Sequence, residues 1–135
     1  MRVWVDLSNS PHVELFGPIV DHLAARGDDV VLTARDHAQT VQLARPRWPQ
    51  LTVVGGPSPP GRAAKAAGIA RRAGALARFA AGRRIDVAVS HGSYAQIAAA
   101  CLISPPSHQR QMSFSSKGLS SFVKAFFPVL RSVRL

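Results

Sequence analysis

Four short apolar runs alternate with four segments of helical character along the first hundred residues of the chain. The runs occupy residues 3–7, 29–34, 51–54 and 85–90, and valine, isoleucine and leucine dominate them. Runs of this length are typical of strands buried on both faces of a parallel sheet. Helices that connect parallel strands pack on the faces of that sheet. The pattern therefore predicts an α/β fold, a Rossmann-like parallel sheet with helices on both faces.

Prolines limit the first two helical segments. Apolar residues recur at helical spacing over residues 13–26, but Pro18 falls within this segment. A proline deep in a helix costs roughly 3 kcal/mol, so we expect the regular helix to begin near Pro18. Asp36 is placed to cap a second helix that ends near Ala44, because Pro46 forces a loop soon afterwards.

The third helical segment, residues 62–84, is rich in alanine and arginine. Its apolar face is predicted to carry Ile69, Ala73, Leu76 and Ala80. Arg71 and Arg78 fall on the opposite face, and Arg72 lies at the border. A basic helix face of this kind is more often solvated than bound to nucleic acid, and no aromatic residues interleave the arginines to stack on bases.

The glycine- and proline-rich segment 55–61 follows the third strand. Gly55 and Gly56 stand where a backbone turn can cradle a phosphate, but the spacings of the P-loop and of the dinucleotide-binding turn are absent. We interpret the segment as an exposed connecting loop.

Polar residues follow each predicted strand. The carboxyl ends of parallel strands form the edge where ligands bind in open α/β sheets. The candidate ligand-binding residues at that edge are Ser8, Asn9, Ser10, Arg35, His37, His91, Gly92, Ser93 and Tyr94. His12 is the candidate catalytic residue, since a histidine near neutrality can act as a general base. Any one of these histidines alone is most often an ordinary loop residue, and without a closely spaced histidine pair no metal site is predicted.

The composition sets the class of protein. The chain has 135 residues and a formal net charge of +10, of which half comes from the last 31 residues. The chain has one cysteine, Cys101, which excludes an internal disulfide and fits a reducing compartment. We expect Cys101 to be a small buried residue of the core. Asp6 interrupts the first apolar run too early for a signal peptide. We therefore expect a cytoplasmic protein with no metal and no resident cofactor.

The style of the sequence changes after Ile103. Residues 104–135 contain serine, phenylalanine and basic residues but no acid, and no valine-rich strand is obvious among them. We predict a Rossmann-like domain over residues 1–103 and an atypical basic tail over 104–135. The break in composition suggests a truncated or frame-shifted product whose tail replaces the native continuation.

Three motifs carry a family resemblance. They are the opening pattern Trp4-x-Asp6-x-x-Asn9-Ser10-Pro11-His12-Val13, the segment 34–40 and the segment 89–93. Together they resemble the N-terminal part of a prokaryotic family called domain of unknown function 354, over residues 1 to about 102. That family is similar to GT-B glycosyltransferases and to non-hydrolysing nucleotide-sugar 2-epimerases, which pair two Rossmann-like domains across a cleft.

This resemblance implies a function and a missing part. The turn at His12 and the turn at Gly92–Tyr94 are similar to glycine-containing turns of the peptidoglycan glycosyltransferase, although Ser8–Pro11 replace the glycines of the first turn. The chain would be the N-terminal half of a GT-B-type enzyme, with a nucleotide sugar or a sugar acceptor as ligand and a C-terminal domain or partner chain to complete it. It would have little activity alone.

Two alternatives remain from the residues themselves. The first is a basic binding module that contacts an anionic membrane surface or nucleic acid, with nucleic acid the less favoured partner because of the missing aromatic residues. The second is a fragment without a function of its own, which would expose an unpaired sheet edge.

Overall fold

The computed structural model describes residues 1–57 and 60–103, together with the backbone of two strands at 109–114 and 123–128. The elements in chain order are β1 (Arg2–Leu7), α1 (Pro11–Ala25), β2 (Asp29–Ala34), α2 (Thr40–Arg47), β3 (Thr52–Val53), α3 (Arg62–Ala80), β4 (Val87–His91), α4 (Tyr94–Ile103), β5 (Gln109–Phe114) and β6 (Val123–Pro128). The predicted fourfold alternation of strand and helix is confirmed. Residues 58–59 of the predicted loop 55–61 lie outside the described residues.

The strands form one sheet in the order β3-β2-β1-β4-β6-β5. Strand β1 is parallel to β2 on one side and to β4 on the other, and β3 is parallel to β2. The carboxyl ends of these four strands therefore lie along one edge, as the sequence predicts. The fold is α/β and Rossmann-like.

Helices cover both faces of the parallel part of the sheet, because successive side chains of β1 point to opposite faces. Val3, Val5 and Leu7 pack in a core with residues of α1 and α2. Trp4 lies in a second core with residues of α3 and α4. The next residue on this second face is Asp6, which is fully buried.

Helices α1 and α2 both differ from their predictions. Helix α1 begins at Pro11, not near Pro18, and Pro18 lies inside it. The roughly 3 kcal/mol cost of an interior proline is offset because neighbours such as Phe16 and Val20 are buried, each contributing about 1.5–3 kcal/mol. The prediction that Asp36 caps α2 is wrong, since the cap position is Gln39.

The end of α2 also extends past its predicted stop. It includes Pro46 and reaches Arg47. The amide of Trp48 donates to the carbonyl of Ala44 (2.9 Å), and both residues are buried. Burial of this end in the core keeps the last turn helical although Pro46 lacks an N–H.

Strands β5 and β6 are new relative to the sequence prediction. They pair antiparallel with each other, and β6 pairs antiparallel with β4. The side of β4 away from β1 thus has a backbone partner. Antiparallel strands need not be uniformly apolar, which is why no valine-rich run marks them. The boundary after Ile103 and the foreign origin of the tail stay predictions.

The single cysteine lies on the outer side of helix α4. Cys101 is exposed, so the expectation that it is buried is wrong. Helix α4 turns Ala95, Gln96, Ala99 and Ala100 toward the sheet, which places Cys101 on its outer side.

Within the described part of the chain, no helix has both the length and the apolar character required to cross a bilayer.

Candidate functional site

The strand order reverses between β1 and β4. From β1 the chain builds β2 and β3 on one side, then crosses to place β4 on the other. In open α/β sheets, ligands bind in the crevice beyond the carboxyl ends of the strands at this reversal. Residues 8–12 contain the loop after β1 and the start of α1, and residues 91–94 contain the end of β4 and the loop before α4, so both segments flank the crevice. We call these two segments the histidine edge.

His12 and His91 meet at the histidine edge. Nε2 of His12 lies 3.3 Å from Nδ1 of His91, and the two rings are perpendicular with centroids 5.2 Å apart. His12 is only 7% exposed and also packs edge-on against Phe16. His91 is half-buried. The structure thus joins two of the three predicted edge histidines, which are 79 positions apart in the sequence.

The backbone of Ser8 fixes the protons of this pair. Its N–H donates to Nδ1 of His12 (3.1 Å), so that nitrogen must be unprotonated. Neutral His12 then carries its proton on Nε2 and donates it to Nδ1 of His91. The proton of neutral His91 must therefore lie on Nε2. In this arrangement both nitrogens of His12 are occupied by neighbours, and His91 has an N–H as its remaining polar group.

The electrostatics favour the neutral form of His12. Burial lowers the pKa of His12 below its ordinary value, and the adjacent His91 lowers it further. Asp6 acts in the opposite direction but more weakly. His12 is therefore neutral at physiological pH, which agrees with the hydrogen bond from Ser8. The expectation that His12 is a general base stays a prediction.

The three polar residues of the first loop shape the turn between β1 and α1. The side chain of Asn9 accepts from the amide of Ser10 (3.0 Å) and is exposed. The hydroxyl of Ser10 accepts from the amide of Gln39 (3.1 Å). This bond ties the loop after β1 to the loop after β2. Of the three, Asn9 is exposed, whereas Ser8 and Ser10 are half-buried.

The three residues after His91 have separate roles. Gly92 is exposed and has φ +68°, a left-handed conformation that glycine adopts without strain, and it turns the chain into α4. Ser93 is buried and caps α4 by accepting from the amide of Gln96 (3.3 Å). Tyr94 begins α4 and is 71% exposed. Of the three, Gly92 and Tyr94 lie at the surface, whereas Ser93 belongs to the interior.

A buried ion pair lies beneath the histidine edge. The guanidinium of Arg72 donates twice to the carboxylate of Asp6, over 3.0 and 2.8 Å. Thr33 and Ser93 donate their hydroxyls to the same carboxylate, over 2.7 and 2.6 Å. Trp4 donates its indole N–H to Thr33 (2.9 Å). This network joins β1, β2 and α3 to Ser93, which lies in the loop between β4 and α4, two residues after His91.

The position of Arg72 corrects the sequence analysis, which placed it at the border of the α3 face. Arg72 is 7% exposed and points inward, because Asp6 on β1 needs a cationic partner. Ile69, predicted on the apolar face, is 42% exposed. Arg71 and Arg78 are exposed as predicted. The available signal was an acid inside an apolar strand, which requires a buried donor.

Arg35 and His37 follow β2. Nε of Arg35 donates to the carbonyl of Gly56 (2.9 Å). Burial lowers the pKa of Arg35, as does the nearby charge of Arg72, while Asp6 opposes them. The carbonyl of His37 accepts from the amide and the hydroxyl of Thr40. Within the described ranges, no hydrogen bond or ring contact joins His37 to the other edge histidines.

Metal-binding side chains are not grouped at this edge. Among the residues that the structure describes, no three His, Cys, Asp or Glu side chains are close enough to hold a metal ion.

Comparison with known proteins gives the family. A family model described as protein of unknown function (DUF354) matches residues 1–101. The chain belongs to this family. The match extends through most of α4. Neither the curated proteins nor the solved structures gave a match.

The family assignment confirms the resemblance to the domain of unknown function 354 family. The DUF354 match includes β1 to β4 and both segments of the histidine edge. The described site therefore lies wholly within the DUF354 segment, whereas β5 and β6 lie after it.

Proposed function

We propose that this DUF354 chain is the Rossmann-like half of a GT-B-type enzyme that acts on nucleotide sugars. In this proposal the histidine edge contacts the sugar or its acceptor. The observation that carries the proposal is the His12–His91 pair at the reversal of strand order. Two segments distant in sequence meet there, at the place where this class of sheet binds small molecules.

The chemistry of the pair suits an oxygen-rich ligand. The tautomer fixed by Ser8 leaves the Nε2–H of His91 as a donor, and a sugar hydroxyl or a phosphate oxygen is a fitting acceptor. His12 positions His91, and burial lowers the pKa of His12 so that its neutral form is favoured. Asn9 and Tyr94 are exposed on either side and add side-chain polar groups.

A complementary domain is part of the proposal. A GT-B enzyme closes two Rossmann-like domains over its substrate, so this chain would turn over little until a C-terminal domain or partner chain covers the edge. Glycosyl transfer and 2-epimerisation both begin from a nucleotide sugar. Analysis of products from the two-domain enzyme separates the two reactions.

The basic-module alternative has less support from α3 than its sequence suggested. Arg72 is withdrawn from the helix surface into the ion pair with Asp6. Arg71 and Arg78 remain exposed. A mobility assay with duplex DNA at low salt tests this alternative, since phosphate contacts give strongly salt-dependent binding.

The proposal is tested by thermal unfolding of the full chain with a panel of nucleotide sugars. A ligand at 100 times its Kd stabilises a protein by about 2.7 kcal/mol, which corresponds to a rise in Tm on the order of 10 °C for a chain of this size. We expect such a rise for at least one nucleotide sugar, its loss in His91→Ala, and its retention in His22→Ala, a matched exposed histidine on α1.

Two outcomes contradict the proposal. One is that no nucleotide sugar changes Tm, and the other is that the rise persists unchanged in His91→Ala. In the complete two-domain enzyme, His12→Ala is expected to lower turnover about 100-fold if His12 is the general base. An unchanged rate would remove His12 from the mechanism.

A further inference from the structure

A pocket lies at the same sheet edge, on the α3 side. It has a volume of about 230 Å³ and lies between the end of β2, the loop after β3 and helix α3. Its lining includes Arg35, Arg71 and Arg72, together with Gly55 and Gly56. We call it the arginine pocket. The histidine edge contributes no residue to it.

The charge of the arginine pocket is positive. Asp6 neutralises Arg72 through the paired hydrogen bonds, and none of the described residues that line the pocket is acidic. Arg35 and Arg71 line the pocket together with Arg72, and the charge of Arg72 lowers the pKa of Arg35. Arg71 forms no ion pair within the described part of the chain. An anion in the pocket would relieve the repulsion among these guanidinium groups.

The carbonyl groups of the loop after β3 accept hydrogen bonds from arginines that line the pocket. Three consecutive carbonyls are occupied by donors: Val54 by Nε of Arg72, Gly55 by the amide of Asp36, and Gly56 by Nε of Arg35, each over 2.9 Å. Their negative ends are therefore paired with donors. The same bonds hold two of the guanidinium groups beside the pocket.

Glycine is required for this arrangement at Gly55. Its φ is +83°, and a Cβ atom there would lie 2.9 Å from Cδ of Arg72. Gly55 thus lets the loop approach Arg72 closely. A glycine at this position allows the backbone of the loop to pack against the side chain of Arg72, which helps to position that arginine.

The size of the pocket selects the ligand. Pockets for whole small molecules usually measure about 300–1,000 Å³, so about 230 Å³ fits a phosphate or diphosphate with the remainder of the ligand outside. We infer that the arginine pocket is a binding site for a phosphoryl group, in which Arg35 and Arg71 contact the phosphate oxygens. Arginine is the residue best suited to bidentate contact with phosphate.

The test is isothermal titration calorimetry of the full chain at low ionic strength with inorganic phosphate, pyrophosphate and a nucleoside diphosphate. We expect pyrophosphate to bind, and we expect Arg71→Gln and Arg35→Gln each to weaken its affinity about tenfold or more. Arg78→Gln is the matched control, because Arg78 is exposed on the same helix but does not line the pocket. It should change the affinity less than twofold.

The outcomes separate the sources of the phosphoryl group. Tighter binding of the nucleoside diphosphate than of pyrophosphate identifies a nucleotide, and equal binding identifies the phosphoryl group alone. Absence of pyrophosphate binding, or equal losses in Arg71→Gln and Arg78→Gln, would overturn the inference. The exposed Arg71 keeps the test valid even if Arg35→Gln disturbs the loop. Inorganic phosphate and pyrophosphate carry no sugar, so their binding does not depend on the proposed function.

Discussion

Replacement of Arg72 by methionine should destabilise the fold strongly. Asp6 is fully buried, and in Arg72→Met it keeps only the hydroxyls of Thr33 and Ser93 as donors among the described residues. Removal of one partner of a buried ion pair typically costs about 3–5 kcal/mol. Methionine keeps the apolar volume, so the loss is mainly electrostatic. The carbonyl of Val54 also loses its donor, at about 1 kcal/mol.

The assay is urea unfolding at neutral pH, followed by circular dichroism. With a slope of about 1–3 kcal/mol per molar urea, a loss of this size lowers the midpoint by at least about 1 M. Arg71→Met is the matched control on the same helix, since Arg71 is exposed. Its effect should stay within about 0.5 kcal/mol.

The double mutant Asp6→Asn/Arg72→Met tests the cause. It removes both charges, so neither partner is left buried and uncompensated. We expect it to be more stable than the sum of the single mutants predicts, by about 2 kcal/mol. Equal effects of Arg72→Met and Arg71→Met, or full additivity in the double mutant, would refute the assignment of Asp6 and Arg72 as a buried pair.

Two further predictions concern the loops. In the unfolded chain His12 takes up a proton near pH 6.5, but folding lowers the pKa of His12. The free energy of unfolding should therefore fall as the pH drops from about 7 to 5. The midpoint of urea unfolding should fall less steeply with pH in His12→Asn than in the wild type, and parallel curves would contradict this. Gly55→Ala should lower the free energy of unfolding by about 1–2 kcal/mol, because Gly55 has a positive φ and lies against Arg72. A Cβ atom at Gly56 would meet open space, so Gly56→Ala should cost less than about 0.5 kcal/mol. Equal changes in Tm for the two variants would contradict the predicted strain at Gly55.

The order of elements was predictable because apolar periodicity is a local signal. The four parallel strands and four helices occur where the apolar runs and helical spacings lie. The proline effects at Pro18 and Pro46 were overestimated, since local propensity competes with burial that only the folded core supplies. The strands β5 and β6 escaped prediction because their sequences lack a continuous apolar run.

The composition of the site was partly predictable, but its pairing was not. The polar strand ends marked His12 and His91 as edge residues. Their contact depends on β4 lying beside β1, a strand order that periodicity does not encode. Likewise, Asp6 and Arg72 are 66 positions apart. An acid in an apolar strand indicates that a partner exists, and only the fold identifies it.

The most direct test of the histidine edge as a ligand site is nitrogen-15 NMR of the histidine rings in the full chain. Without ligand, the spectra should show neutral His12 and His91, each with its proton on Nε2. Addition of a nucleotide sugar that raises Tm should shift the ring signals of His91 and His12 and leave those of the exposed His22 unchanged. Unchanged His91 signals under saturating ligand would contradict the account.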